Sequence, residues 1–262
     1  FGASVANLLY ARDEGFYYRT FGAELGGTRD APGPFGGATM VWRLFAERQR
    51  SAGVEPNTQL SLGNAIGDAR FTENVPGAQL TALGAGAELA RSFGADPTHL
   101  RLDARLRGEG AFTDRGDSLA TTGYGRAVLD ATLSRIFGPF AAALTAGAGY
   151  SAGDVPPQRL FYVGGLQTVR GQFARPGGAG RVGDAFWLGR AEVGLPVVAV
   201  RPSVFYDVGW AGPRDRLSNP GRPLSGAGIG LSFLDGLARI DLSRGIRPEK
   251  RTRLDLYLEA RF

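Results

Sequence analysis

The chain has 262 residues, 43% of them hydrophobic and 21% charged, which is enough for one large domain. Its net charge of +5 comes from 30 basic residues, of which only Lys250 is lysine, but these are spread singly, mostly one strand step from an acid. A nucleic-acid partner is therefore not expected, and the absence of cysteine with a single histidine, His99, leaves no basis for disulfides, histidine triads or thiolate and multi-histidine metal sites.

Glycine supplies 41 residues, about twice its usual share, and without a collagen-like period it points to turns and strand bends. No stretch approaches the ~18–20 apolar residues of a membrane helix. The most apolar windows, Phe140 to Ala148 and Val193 to Val200, are strand-sized. If the chain crosses a membrane, a closed barrel is the structure that satisfies its backbone there.

Period-two alternation dominates the chain, and the i, i+3, i+4 spacing of an amphipathic helix is missing. It predicts about twelve strands, seven of them near 3–12, 16–28, 37–49, 78–93, 98–112, 123–137 and 139–152. Five more follow near 184–195, 201–211, 225–234, 236–246 and 251–262. Leu100, Leu102, Ala104 and Leu106 oppose Arg101, Asp103, Arg105 and Arg107. Ala227, Ile229, Leu231 and Phe233 alternate with Gly226, Gly228, Gly230 and Ser232. Ala238, Ile240 and Leu242 oppose Arg239, Asp241 and Ser243, and in the last strand Leu254, Leu256, Leu258, Ala260 and Phe262 oppose Arg253, Asp255, Tyr257, Glu259 and Arg261.

Many of these strands reach ten residues, against ~5–6 in soluble domains and ~9–11 in tilted membrane strands. Gly15, Gly138 and Leu234-Asp235-Gly236 mark tight turns, whereas 50–77, 156–183 and 211–224 are long connections rich in Gly, Pro and Asn. Short turns at one end and long loops at the other are how transmembrane barrels are built. A soluble β-sandwich also alternates, but its opposite face would not carry mid-strand pairs such as Arg101/Asp103 and Arg253/Asp255. Those charges suit a wet lumen, with the apolar face against lipid. The expected fold is all-β, an antiparallel transmembrane β-barrel.

Residues 161–173 read Phe-Tyr-Val-Gly-Gly-Leu-Gln-Thr-Val-Arg-Gly-Gln-Phe. Taken alone this is a turn-rich surface loop with one arginine. Its Gly164-Gly165 followed by Val169-Arg170-Gly171 and Phe173 resembles the long-loop motif of the BamA/TamA superfamily, the bacterial surface antigen barrels and the two-partner secretion transporters. Two further segments match in order. Arg190-Ala191-Glu192-Val193-Gly194-Leu195-Pro196 resembles the strand after that loop, which carries an inward acid, and Phe205-Tyr206-Asp207-Val208-Gly209 the aromatic-x-Asp-x-Gly strand that follows. Alternation independently turns both acids to one face: Asp207 with Ser203, Phe205 and Gly209, and Glu192 opposite Ala191, Val193 and Leu195.

The resemblance covers 157–262 well and 1–156 in general character. It departs where Gln172 stands between Arg170-Gly171 and the aromatic, and where Ala260 precedes the terminal Phe262, leaving the assembly signal partial. It implies that the 156–183 loop folds into the barrel, with Arg170 meeting Asp207 and Glu192, or else that this arginine only stabilises the wall. It also implies a sixteen-strand barrel of which residues 1–262 are part, POTRA domains upstream in the full-length chain, and a place in the outer-membrane bilayer. The implied function is insertion of barrel proteins or secretion of unfolded polypeptides, with no covalent chemistry and no cofactor. A passive porin-like channel remains the alternative, and a hydrolase fused upstream of the barrel a further one.

Overall fold

A computed structural model describes residues 17–32, 36–52, 77–94, 98–116, 121–173, 181–195, 200–234 and 237–258, with the single positions 65 and 74. Eleven antiparallel strands form one sheet in simple meander order: β1 (Tyr18–Asp30), β2 (Thr39–Ser51), β3 (Leu80–Phe93), β4 (Arg101–Asp114), β5 (Thr122–Phe137), β6 (Phe140–Gly153), β9 (Ala185–Gly194), β10 (Arg201–Gly212), β11 (Leu224–Phe233), β12 (Ala238–Arg247) and β13 (Thr252–Leu258). Between β6 and β9 the described residues make a 3-10 turn, Pro157–Arg159, and a two-stranded pairing of β7 (Phe161–Val163) with β8 (Arg181–Gly183). This pairing lies inside the long 156–183 connection, which the sequence shows only as a Gly- and Pro-rich stretch. The expected strand at 3–12, Gly15, Asp235-Gly236 and the terminal Phe262 lie outside the described residues.

Ladder pairing carries the face of every side chain from strand to strand. Glu47 pairs with Ala82, Gly86 with Glu109, Glu109 with Arg126, Thr145 with Arg190, Asp207 with Arg190, and Gly230 with Asp241. These mid-strand charged and polar residues therefore share one side. The opposite side carries Phe21, Leu25, Leu44, Leu83, Leu129, Leu144, Val204, Ile229 and Leu254, all exposed. Arginines on that apolar side, such as Arg29, Arg50 and Arg135, sit near strand ends. A broad apolar band with charge at its rims is the outer face of a transmembrane barrel and suits no aqueous surface of this extent.

The polar side is concave. Arg159 in the 3-10 turn reaches Glu47 on β2, while Arg170 in the same connection reaches Asp241 on β12. These two strands stand eight places apart in the sheet, roughly 38 Å across a flat sheet at ~4.8 Å per strand. Residues 159–170 would span about 40 Å only if fully extended, and the β7 strand and the closed tip after it fold them well short of that. Only a curled sheet lets one short segment touch both ends.

The 52–79, 154–184 and 213–223 connections all emerge at one end of the sheet, and the two-residue turn at Gly138 lies at the other. Leu129, in the middle of β5, faces outward, and Thr132 faces the concave side. Leu129→Arg is expected to destabilise the folded protein in lipid vesicles by about 2–4 kcal/mol, and Thr132→Arg by less than about 1. Equal costs in urea titrations would contradict lipid contact at the apolar face.

Candidate functional site

The polypeptide from Val163 to Phe173 forms a compact tip inside the concavity. Gly164, Gly165 and Gly171 all adopt positive φ, where a side chain would be strained. The tip closes on itself. The Gly165 amide donates to the Gln172 carbonyl at 2.8 Å, and the Thr168 hydroxyl accepts from the Gly164 amide at 2.8 Å and donates to the Gly164 carbonyl at 2.7 Å. Phe161, Val163 and Val169 pack against Val128, Phe186, Ala211 and Leu224. Apolar burial thus contributes to seating the segment independently of its charge pairs.

Arg170 projects from this tip and is 2% exposed. Its backbone amide donates to Asp207 Oδ2 at 3.0 Å, and its guanidinium grips the same carboxylate in a fork, Nε to Oδ2 at 2.6 Å and Nη2 to Oδ1 at 2.8 Å. Nη1 donates to Glu192 Oε2 at 3.1 Å and to Asp241 Oδ2 at 3.3 Å. The guanidinium also lies over the Phe205 ring, 3.4 Å from its centroid. Burial alone would lower the Arg170 pKa, but the hydrogen bonds and charge of Asp207, followed by the charges of Glu192 and Asp241, hold it above the ordinary arginine value.

Two wall arginines complete the cluster. Arg239 donates to both Glu192 oxygens at 2.7 and 2.9 Å and to Asp241 Oδ1 at 2.8 Å. Arg190 reaches Asp207 Oδ1 at 3.4 Å and the Gln167 carbonyl at 3.2 Å, and the Tyr257 hydroxyl donates to Asp241 Oδ2 at 2.9 Å. Three guanidinium groups face three carboxylates. This balance is what allows Asp207 and Asp241 to be fully buried.

The structure brings Arg170, Asp207 and Glu192 together. Val169 packs beneath the tip, and Gly164, Gly165 and Gly171 shape it. Phe173 lies beside the Arg253 and Arg251 guanidinium groups, at 5.3 and 6.0 Å. Gln172, a departure from the motif by sequence, is fully buried and donates to the carbonyls of Ser225 at 2.9 Å and Glu249 at 3.1 Å. Sequence reasoning missed Asp241, Arg239, Arg190 and Tyr257 as members of the cluster. Alternation places Arg239, Asp241 and Tyr257 on the correct face, but nothing in a period of two says which strands come within reach of the loop.

The wall is cut away where the tip meets it. A Cβ on Gly226 would collide with the Arg170 carbonyl oxygen, and one on Gly245 would crowd Gln172 Nε2 and the Gly171 carbonyl. The β11–β12 register shifts at Ser225/Gly226, so the ladder itself bends at the contact.

A curled antiparallel sheet, apolar outside and charged within, with a long connection docked in its interior, defines a transmembrane β-barrel wall with a lumenal loop. Residues 88–258 match the Omp85 superfamily domain, and the chain belongs to that superfamily. Its barrels lie in the bacterial outer membrane and act as insertases or transporters, not enzymes, in line with the BamA/TamA resemblance. No curated protein matches the chain. Among solved structures, CdiB from Acinetobacter baumannii is 16% identical over 91% of this chain and 49% of its own, with a TM-score of 0.42. BamA from Haemophilus ducreyi lacking POTRA domains 1–3 is 13% identical over 90% of this chain and 61% of its own, with a TM-score of 0.46. The chain thus spans about half to three-fifths of the length of these two structures.

Gly226→Ala should displace the tip without removing any polar partner, because the clash is with backbone. Limited proteolysis between residues 164 and 173 is expected to become at least tenfold faster, and an unchanged rate would show that the tip does not need the glycine gap. In a double-mutant cycle, Arg170→Ala and Asp207→Ala should couple by about 1.5–3 kcal/mol in unfolding free energy. Additive losses would contradict direct pairing.

Proposed function

We propose that this chain forms the barrel of an outer-membrane machine that inserts barrel proteins into the membrane or secretes polypeptides across it, with the Arg170 clamp holding the 156–183 loop in its working position. The observation that carries this reading is the buried fork between Arg170 and Asp207, joined by Glu192, within a chain of the Omp85 superfamily. A passive porin has no reason to combine a Val169-Arg170-Gly171 tip with an inward Asp207 that receives its arginine, so this pairing supports the machine over the porin.

The partners in this reading are the outer-membrane bilayer, unfolded polypeptide substrates, and POTRA domains of the same full-length chain that deliver them. The protein's part is mechanical and electrostatic. An incoming strand pairs with a barrel edge through main-chain hydrogen bonds, and the clamp keeps the lumenal loop from drifting while the wall deforms. Hydrogen bonds to charged groups contribute about 1.5–3 kcal/mol each. That is enough to bias a loop between docked and released states, but small beside the ladder that holds the barrel.

Charge reversal tests the reading in cells that depend on the full-length protein. Arg170→Glu places a fourth carboxylate among three and is expected to abolish assembly or secretion while the barrel still reaches the outer membrane. Arg170→Glu with Asp207→Arg should restore part of the activity. Full activity of Arg170→Glu would sink the clamp, and a native-like level of steady, substrate-independent conductance would favour the porin.

A further inference from the structure

The loop carries a second anchor on the opposite wall. Arg159 Nη2 donates to Glu47 Oε1 on β2 at 2.9 Å, and its Nε lies 3.3 Å from Glu109 Oε1 on β4 as an ion pair without hydrogen-bond alignment. Glu109 also accepts from the Tyr124 hydroxyl of β5 at 2.8 Å and pairs with Arg43 of β2. The neighbouring Gln158 side chain pairs with the backbone of Ala78 as a strand would, accepting from its amide at 2.9 Å and donating to its carbonyl at 3.1 Å. Gln158 Nε2 donates in addition to Gln49 Oε1 at 2.6 Å. Ala78 and Val155 pack against Phe45, Leu80, Ala82, Ala111 and Tyr124, which gives this contact its own apolar seat.

The two anchors differ in depth and in burial. Asp207 and Asp241 lie in mid-strand on β10 and β12, whereas Gln49 and Ala78 lie where β2 ends and β3 is about to begin, at the long-loop rim. The side chains of Arg159, Glu47 and Glu109 are 12%, 16% and 12% exposed, against 2% for Arg170 and 0% for Asp207 and Asp241, with Glu192 at 26% the one clamp carboxylate open to water. Charge pairs nearer water are weaker and more screened than fully buried ones. The rim contact is therefore the weaker of the two.

We propose that residues 155–173 form a strap fastened at both walls, and that the Gln158/Arg159 anchor is its release point: lumen opening swings residues 155–160 away from β2–β4 while Phe161, Val163 and Arg170 stay seated on β5 and β9–β12. Gln158 and Arg159 then act as gating residues, a role distinct from the Arg170 clamp and independent of the substrate handled. With the rim anchor released, residues 155–160 no longer bridge to β2 and β3, and the space beside β2–β4 opens toward the long-loop rim while the chain stays joined to β6 at Gly153.

The test uses the native full-length protein in planar lipid bilayers. Gln158→Ala/Arg159→Ala is expected to raise open-channel occupancy at least tenfold while heat-modifiable gel mobility stays native. Unchanged occupancy in the folded variant overturns the proposal. The chain has no cysteine of its own, so Gln49→Cys/Gln158→Cys offers a single pair for a short thiol-cleavable bis-maleimide. The bridged barrel should stay shut and the cleaved one should open as the alanine variant does. Equal opening before and after cleavage overturns the proposal even if the alanine variant fails to fold. Function in cells is scored separately, so loss of assembly with unaltered gating would count against the strap and leave the clamp standing.

Discussion

A guanidinium removed from water among three carboxylates is the interaction on which the interior of this protein is organised. Arg170 enters the lumen from a loop, not from the wall, so its charge has to be met by groups already waiting there. Asp207, Glu192 and Asp241 come from β10, β9 and β12, and they in turn are balanced by Arg190 and Arg239. Buried ion clusters of this kind contribute little net stability, because desolvation offsets most of the Coulomb attraction. Their value is in specificity. The Arg170 guanidinium is answered by three carboxylates at this one point of the wall, which fixes where the tip of the loop docks.

Shape allows that electrostatic match. The strands around the clamp contain glycine at positions where the loop backbone comes against the wall, Gly226 and Gly245 above all. Glycine weakens a strand's own packing, yet here the lost side chain is replaced by polypeptide from the loop. The same logic runs along the strap, where Phe161, Val163 and Val169 fill space between the walls. An apolar cluster inside a charged lumen would otherwise be out of place, and it accounts for the firm seating of a segment whose composition reads as a solvated turn.

The outer face obeys a simpler rule. Residues such as Leu129, Val204 and Ile229 are exposed because their solvent is hydrocarbon, and their alternation with Asp130, Phe205 and Gly230 follows from the pleat alone. Strand length, face assignment and the position of the long loops all descend from this one division between lipid and water. Eleven of the strands expected from sequence lie within a few residues of those observed, and the twelfth, at 3–12, lies outside the described residues.

What the sequence determined by itself was therefore periodic or local: the alternation that makes the strands, the glycines that shape the loop tip, and the inward direction of Asp207, Glu192, Arg239, Asp241 and Tyr257. The tertiary structure alone decided which of these inward groups meet. Curling brings β2 and β12, eight places apart in the sheet, to the two ends of one short loop segment. Arg159 and Gln158 find their partners more than a hundred residues away on β2, and Arg170 finds Asp241 on a strand whose sequence carries no mark of the encounter. A period of two states the face of a side chain and nothing about its distance from any other strand. Only the curling of the wall around the loop supplies that distance.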